Sequence, residues 1–384
     1  MSKKLAIEGW RGINHSYAMV NQYQMLALGK LGINFCHHDL PFFRVDWSPQ
    51  KNFCGFNEPA ITFLNAIREC EDRQVIDATY RISYPYRLYP SKGESLFVFG
   101  TCEFQVITDD MLFNDGIKVK NSDRPLKIIT PSNWSKVGFL NSGFRDEQIL
   151  VVPHGVDLSI FRPLDSGSRE QYRNALGANP DSFIILSVGA MTENKGIDIL
   201  LAAYLRLKGK YPQIKLVLKD QSNLYGFSAN ELINQYCNNN GINLASRELA
   251  NATSGFFVIS ENLNLNQLNG LYGAADCYVS PYRAEGFNLT PLEAAAAGTP
   301  IIVTEGGSTD DYAHESFALK IEASKKNIDG RSFLEPNLES LIEQLTTLIE
   351  KKDTSLSAQK AINFIEKKFT WDVVTRKLTK ELSL

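Results

Sequence analysis

Residues 275–295 read ADCYVSPYRAEGFNLTPLEAA, and this stretch decides the fold. It opens with an apolar run at 277–280, which predicts a strand, and continues through a loop that contains Gly286. The run beyond the loop predicts a helix, with Thr290 as its N-cap and Pro291 at its first position. A helix start behind a glycine loop presents main-chain N–H groups, so this strand–loop–helix unit is suited to binding a diphosphate.

The same alternation of short apolar runs and amphipathic stretches continues on both sides of this unit. Towards the N-terminus it predicts strands at 4–8, 33–37, 74–79, 96–100, 127–130 and 149–152, with helices at 16–31, 58–70 and 133–141. From residue 183 onwards it predicts strands at 183–188, 215–218, 256–259, 277–280 and 301–303, with helices at 197–208, 229–238, 266–275 and 291–297. Such runs are typical of parallel strands covered by helices on both faces. The sequence therefore predicts an α/β protein with doubly wound parallel sheets.

The length of 384 residues suits two domains better than one core. The seam is predicted at 153–163, which reads PHGVDLSIFRP and precedes a polar stretch of small residues at 165–168. This gives an N-terminal domain at 1–163 and a second domain at 164–365. Residues 366–384 are predicted to form a terminal helix that packs back on the first domain. Because doubly wound sheets bind ligands at the carboxyl ends of their strands, two facing domains would enclose one deep cleft.

Charge and composition narrow the class of protein. The formal net charge is −3, which argues against nucleic acid as the main partner. The first residues lack the apolar core of a signal peptide, and no run of 18 apolar residues predicts a membrane span. The six cysteines include no C-x-x-C pair and are predicted to be reduced, mostly buried thiols. We expect a cytoplasmic protein, with at most peripheral contact at the inner face of a membrane.

Two carboxylates, Glu285 and Glu293, bracket the predicted diphosphate loop. Each has a plainer interpretation. Thr290 and Glu293 have the spacing of a capping box, in which the glutamate bonds the N-cap main chain. Glu285 alone is more often a solvated loop carboxylate than a ligand.

In combination these residues resemble a known family. The two glutamates, within EGFNLTPLEA and followed by AGTPIIVT, look like the E-x7-E signature of family 4 retaining glycosyltransferases of GT-B fold. The interdomain segment at 153–163 is similar to that family's, and VGAMTENKG at 188–196 is similar to its donor-phosphate lysine loop. The resemblance is clearest over 127–304 and weak in the N-terminal domain.

The resemblance implies a role for each matching residue. Glu285 would contact donor-sugar hydroxyls, Lys195 would neutralise the departing diphosphate, and Glu293 would accept hydrogen bonds from the ribose. Outside this context, Lys195 would be interpreted as a surface lysine in a strand–helix loop. The main chain at four residues would hold the β-phosphate: Gly286, Phe287, Asn288 and Leu289. The main chain at Ile259 and Ser260 would line the base pocket.

Two positions depart from the family pattern. Ala190 stands where the family usually has an arginine, so a second cation would come from Lys219, our preferred candidate, or from Arg283. The alternative for Lys219 is a strand-end lysine exposed to water. The N-terminal domain lacks the family's histidine after a central strand, and Glu103 is a candidate to face the site instead.

The predicted function is that of a retaining glycosyltransferase. A UDP-hexose is the favoured donor and GDP-mannose the next, and the acceptor would be a saccharide, free or lipid-linked, in envelope or exopolysaccharide synthesis. No cofactor is expected and no metal, because the sequence contains no D-x-D triplet and a lysine with a helix terminus can neutralise the leaving group. Two alternatives stay open: a nucleotide-sugar epimerase or hydrolase of the same fold, and a non-catalytic nucleotide-sugar-binding subunit.

Overall fold

The chain folds into two compact units, each built on a parallel sheet. The computed structural model describes residues 3–50, 54–71, 75–88, 93–113, 125–241, 255–351 and 355–384. Unit 1 comprises Met1–Gly155, Ile328–Ser332 and Lys368–Leu384. Unit 2 comprises Val156–Asn327 and Phe333–Lys367.

The sheet of unit 1 has six parallel strands. They are β1 (Leu5–Gly9), β2 (Phe35–Asp39), β3 (Ala78–Ile82), β4 (Ser95–Phe99), β5 (Leu126–Thr130) and β6 (Ile149–Val151). Their order is β2-β1-β3-β4-β5-β6, and each neighbouring pair is parallel. All five residues of β1 and of β3 are buried, as expected for strands covered on both faces.

The sheet of unit 2 repeats this architecture. Its strands are β7 (Phe183–Val188), β8 (Ile214–Lys219), β9 (Phe256–Ile259), β10 (Cys277–Ser280), β11 (Ile301–Thr304) and β12 (Ala318–Ile321). Their order is β12-β11-β10-β7-β8-β9, again parallel throughout. Ile185, Leu216, Val279 and Ile302 lie fully buried in one apolar core. Two further strands, β13 (Ala323–Ile328) and β14 (Arg331–Pro336), pair with each other.

Helices separate most of the strands. They are α1 (Ser16–Lys30), α2 (Glu58–Ala66), α3 (Asn133–Asn141), α4 (Ser166–Ala175), α5 (Ile197–Lys210), α6 (Ser222–Tyr225), α7 (Ala229–Asn239), α8 (Leu265–Ala274), α9 (Leu289–Ala296), α10 (Leu338–Glu350), α11 (Ser355–Lys368) and α12 (Trp371–Glu381). The predicted α/β class with doubly wound parallel sheets is confirmed. Within unit 1, Trp371 of α12 stacks on Tyr23 of α1, with ring centroids 4.9 Å apart. Among the described residues, no helix is long and apolar enough to cross a membrane.

The third strand was predicted too early in the chain. The predicted range was 74–79, of which Gln74 lies outside the described residues, whereas β3 runs from Ala78 to Ile82. The apolar run is interrupted by Arg81, which is buried and donates to Glu8 of the neighbouring strand at 2.7 Å. A charged residue in a buried strand is tolerated when it is paired in this way, but its partner is 73 positions away and invisible in a local pattern.

The prediction that all cysteines are reduced is wrong for one pair. Cys36 of β2 and Cys70, after α2, form a disulfide with Cα atoms 5.1 Å apart. The two segments lie side by side, since the main-chain N–H of His37 donates to the carbonyl of Arg68 at 3.0 Å. The other four cysteines are free and buried, as predicted; they are Cys54, Cys102, Cys237 and Cys277.

Each sheet contains one point where the order of strand addition reverses. It lies between β1 and β3 in unit 1 and between β7 and β10 in unit 2. At such a point the loops after two adjacent strands diverge to opposite faces of the sheet and leave a crevice, which is where doubly wound sheets bind ligands. In unit 2 the two loops concerned are the lysine loop at 189–196 and the loop at 281–288.

Candidate active site

The two loops at the reversal point of unit 2 are in direct contact. The lysine loop ends in a 3₁₀ turn, Glu193–Lys195, followed by Gly196 with a φ of +67°. A Cβ at Gly196 would collide with the carbonyl oxygen of Pro281. Only glycine satisfies both the left-handed backbone and this close approach, so Gly196 fixes the lysine loop against the end of β10.

Asn194 joins the same two loops through hydrogen bonds. Its carbonyl accepts from the main-chain N–H of Arg283 at 2.7 Å, and its side-chain amide donates to the carbonyl of Ala284 at 3.0 Å. Asn194 therefore acts as a staple between residues adjacent to Lys195 and residues adjacent to Glu285.

The staple brings Lys195 and Glu285 together. The Lys195 ammonium donates to Oε1 of Glu285, and the two form an ion pair. Glu285 is 6% exposed, so it is not the solvated loop carboxylate of the plainer interpretation. The Lys195 side chain retains 25% exposure, so its alternative as a freely solvated surface lysine does not apply either. A partly exposed cation that a buried carboxylate holds at the carboxyl end of the strands is suited to binding an anion.

Helix α9 begins two residues earlier than predicted. Its first residue is Leu289, its N-cap is Asn288, and Pro291 is the third helical residue rather than the first. Asn288 has a left-handed backbone with a φ of +65°, a conformation that asparagine tolerates better than other non-glycine residues. Its amide donates to the Ser280 hydroxyl at 2.8 Å, and its carbonyl accepts from Tyr312. These contacts hold the residue that turns the chain into the helix.

The residues predicted to hold a phosphate surround this helix start. Gly286, Phe287 and Asn288 are buried, while Leu289 is partly exposed at the first position of α9. The main-chain N–H groups of a first helical turn have no partner within the helix, and the helix dipole places partial positive charge there. The arrangement is therefore compatible with an anion, and the phosphate contact stays a prediction.

Glu293 does not form the capping box that its spacing allowed, because α9 begins before Thr290. Its Oε2 instead accepts a hydrogen bond from the Tyr272 hydroxyl of α8 at 2.9 Å. Burial raises the pKa of Glu293 to about 8, although the hydrogen bond from Tyr272 opposes this shift. Glu293 is thus a buried acid in the second turn of a helix whose start faces the crevice.

Lys219 lies at the end of β8, opposite Val188 of β7 and Ile259 of β9. It is buried rather than exposed, so the alternative of a solvated strand-end lysine is wrong. Its ammonium donates to the carbonyl of Asp220, and burial lowers its pKa. Lys219 therefore lies at the carboxyl end of the sheet. Among the residues that the structure describes, its ammonium makes no hydrogen bond to a carboxylate side chain.

Arg283, the other candidate for the second cation, is engaged elsewhere. It donates to both carboxylate oxygens of Asp198 at 2.8 Å and contacts Glu335 at 3.2 Å. The hydrogen bonds to Asp198 raise its pKa further. Because two carboxylates hold Arg283, it stabilises the loop before Glu285. Lys219 therefore stays the preferred candidate for the second cation of the donor site.

The predicted base-pocket residues lie at the end of β9. The carbonyl of Ile259 accepts from the main-chain N–H of Asp220 at 3.0 Å. The Ser260 hydroxyl donates to the Asp220 carboxylate at 2.9 Å, and its carbonyl accepts from the Asn223 amide at 2.9 Å. Asp220 and Asn223 thus order this segment, and neither was singled out from the sequence.

Glu103 belongs to unit 1, where it follows β4. Its carbonyl accepts from the indole N–H of Trp134 at 2.7 Å. Nearby, the hydroxyls of Tyr17 and Tyr86 lie 2.9 Å apart, and that of Tyr17 lies 3.1 Å from the Thr101 hydroxyl. These buried hydroxyls of α1 and of the segment after β3 bond to one another and to Thr101, and so order the start of the loop that carries Glu103.

Comparison with known proteins gives a family match over the second half of the chain. The model of the family described as "Glycosyl transferases group 1" matches residues 168–367. This range contains β7 to β12 together with Lys195, Glu285 and Glu293.

The chain matches only part of the length of the similar curated proteins. The D-inositol 3-phosphate glycosyltransferase of Segniliparus rotundus is 28% identical over 204 residues, which are 51% of this chain and 40% of the relative. The lipopolysaccharide 1,2-N-acetylglucosaminetransferase of Salmonella typhimurium is 22% identical over 262 residues, which are 68% and 62% of the two proteins. The chain thus covers less than two thirds of the length of each.

A solved structure matches over nearly the whole chain. Anabaena HepE in complex with UDP and glucose superimposes with a TM-score of 0.64, covering 99% of both chains at 14% identity. At this identity the likeness shows the fold alone, and that fold is the predicted GT-B architecture.

Proposed function

The chain belongs to the group 1 glycosyl transferases, and we propose that it transfers a hexose from a nucleoside-diphosphate sugar, preferably a UDP-hexose, to a saccharide acceptor with retention at the anomeric carbon. The observation that supports this most is the ion pair of Lys195 and Glu285 at the reversal point of the unit 2 sheet. In this proposal the Lys195 ammonium would meet the diphosphate, and the Glu285 carboxylate would meet the sugar.

In the proposed reaction the bond between the anomeric carbon and the diphosphate oxygen breaks while an acceptor hydroxyl bonds to the same face of that carbon. The acceptor proton passes to an oxygen of the departing phosphate. Negative charge grows on the diphosphate, and Lys195 with the first-turn N–H groups of α9 would stabilise it without a metal ion. No carboxylate acts as nucleophile, so Glu285 and Glu293 are not the acid pair of a glycosidase.

The remaining residues would bind the rest of the donor. Glu285 would accept hydrogen bonds from the sugar hydroxyls and Glu293 from the ribose hydroxyls. Lys219 would supply the cation that Ala190 cannot, and the segment at Ile259 and Ser260 would line the base pocket.

On the acceptor side, Glu103 would meet a saccharide, free or lipid-linked. The name of the Salmonella relative includes lipopolysaccharide, which supports an acceptor of the cell envelope. We propose that the protein acts in the cytoplasm, with at most peripheral contact with the membrane.

A screen for thermal stabilisation tests this function. We expect UDP or a UDP-hexose to raise the melting temperature in the presence of EDTA, because a ligand that binds only the folded state stabilises it by mass action. GDP-, ADP- and CMP-sugars provide the comparison. With the donor identified, sugar transfer to a saccharide should persist in EDTA. Release of free hexose without transfer would indicate hydrolysis, and full dependence on Mn²⁺ would contradict the metal-free mechanism.

Replacing Glu293 tests the ribose contact. Glu293→Ala should weaken UDP binding by about 1–3 kcal/mol, the scale of lost hydrogen bonds to a charged group. The wild-type affinity should also rise by about tenfold between pH 6.5 and pH 8.5, because burial raises the pKa of Glu293 to about 8 and the ionised carboxylate accepts better from ribose. Titration calorimetry across this range measures both effects.

Glu293→Gln is the matched control for this pH dependence. It keeps an oxygen for Tyr272 but cannot ionise, so the ratio of wild-type to variant affinity cancels the ionisation of UDP itself. A ratio that does not rise with pH, or an alanine variant with unchanged affinity and melting temperature, would remove Glu293 from the ribose site.

A further inference from the structure

The hydrogen bond between Tyr272 and Glu293 joins two helices at a buried position. Tyr272 lies on α8 and is fully buried, and Glu293 on α9 is 7% exposed. The Tyr272 hydroxyl donates to Oε2 of Glu293 at 2.9 Å. Within the part of the chain that the structure describes, the other oxygen, Oε1, makes no hydrogen bond. One oxygen of the carboxyl is therefore held by the protein, and the other keeps its capacity to accept a hydrogen bond.

The Tyr272 side chain is held in place by its own neighbours. Its ring lies 5.8 Å from that of Tyr278 in an edge-to-face arrangement and 6.0 Å from that of Phe161. Its carbonyl accepts from the Thr299 hydroxyl at 2.7 Å. A hydroxyl on a ring packed in this way has little freedom to leave Glu293, so it can fix the direction of the carboxyl group.

We propose that Tyr272 is the positioning residue of the donor site: it occupies Oε2 of Glu293 and so directs Oε1 towards the two ribose hydroxyls. This inference rests on the proposed function and adds to it the residue that orients the ribose contact. Tyr272 itself does not touch the donor. It acts through Glu293, and its contribution is measurable only while Glu293 is present.

The same hydrogen bond also affects ionisation. The titratable groups that face Glu293 are Tyr272 from α8, Tyr278 from β10 and Tyr312 from the segment after β11, and burial raises the pKa of all three. No described cation takes part in setting the pKa of Glu293, which burial raises and only the hydrogen bond from Tyr272 lowers. Removing that hydroxyl should therefore favour the neutral acid of Glu293, which accepts less well from ribose.

The test is Tyr272→Phe, which deletes the hydroxyl and keeps the packed ring. We expect the dissociation constant for UDP, measured by titration calorimetry, to rise about tenfold at pH 7 and only about threefold at pH 9, where Glu293 ionises even without the hydroxyl. In the Glu293→Ala background, where Tyr272 has no oxygen to donate to, the same change should alter UDP affinity by less than about twofold. Tyr204→Phe, which removes another buried tyrosine hydroxyl of unit 2, is the control and should leave UDP affinity unchanged.

The outcomes separate this inference from the proposed function. If the wild type binds UDP and Tyr272→Phe binds it equally well, the inference fails while the function stands. An equal loss in the wild-type and Glu293→Ala backgrounds, with no dependence on pH, would also overturn the inference, because it indicates a structural effect that bypasses Glu293. If the wild type binds none of the nucleotides, the proposed function fails and the inference fails with it.

Discussion

Lys195→Ala should lower kcat for sugar transfer by about 10²–10³-fold, the scale observed when one group that stabilises developing negative charge is removed. The donor's diphosphate gains charge as the glycosidic bond breaks, and Lys195 is the cation that the 3₁₀ turn and the Asn194 staple hold at this place. KM for the donor should change much less, because the lysine is needed most in the transition state. Steady-state kinetics with saturating acceptor measures both constants.

The same substitution should also destabilise the fold, which allows a control. It leaves Glu285 buried without its cation, and we expect a loss of about 1–2 kcal/mol in the free energy of unfolding. The double variant Lys195→Ala/Glu285→Ala should recover part of that stability but none of the activity. Lys210→Ala removes a lysine from an exposed ion pair with Glu350 and should affect neither. A Lys195→Ala enzyme with kcat within threefold of the wild type would contradict the proposed mechanism.

Gly196→Ala should destabilise the protein by about 3 kcal/mol and abolish most of its activity. The new Cβ would collide with the Pro281 carbonyl oxygen, and alanine disfavours a φ of +67°. Relief of the clash must move the lysine loop away from β10 and so separate Lys195 from Glu285. Chemical denaturation gives the stability, and the transfer assay at a temperature where the variant is folded gives the activity.

Gly209→Ala is the matched control for this experiment. Gly209 lies within α5 of the same unit, and a Cβ there would meet nothing within 4 Å. Gly209 is the last residue but one of α5, so alanine should leave the stability unchanged or raise it by up to about 1 kcal/mol, with full activity. If both glycine variants behave alike, the contact between the lysine loop and Pro281 does not hold the site together.

The sequence was sufficient for the fold class because the buried strands are nearly continuous apolar runs. It misplaced β3, where Arg81 interrupts such a run, and missed the Cys36–Cys70 disulfide. It also placed the start of α9 at a favourable Thr–Pro pair, whereas Asn288 starts the helix from a left-handed conformation. In each case the deciding partner is a residue far along the chain or a backbone angle that the local pattern does not specify.

In the candidate site, too, the sequence predicted some residues and missed others whose partners are distant in the chain. The resemblance to a family singled out Lys195, Glu285 and Glu293. The sequence did not predict that Lys195 and Glu285 form an ion pair. Asn194 and Tyr272 were missed because their partners lie 90 and 21 positions away. A polar residue in a loop, or a tyrosine in an apolar helix, has no sequence signal that separates it from an ordinary surface or core residue.

The membership of residues 368–384 in unit 1 has a consequence for biosynthesis. Residues 1–155 emerge from the ribosome before unit 2, whereas Trp371, which stacks on Tyr23, is made only after unit 2. At roughly 5–20 residues per second, this delay is about 10–40 s. During that time the nascent first unit exposes the apolar face that α12 later covers, and exposed apolar surface of this kind makes incomplete folds prone to aggregation. Unit 2 is contiguous apart from Ile328–Ser332, so its core does not wait in the same way for a segment made much later.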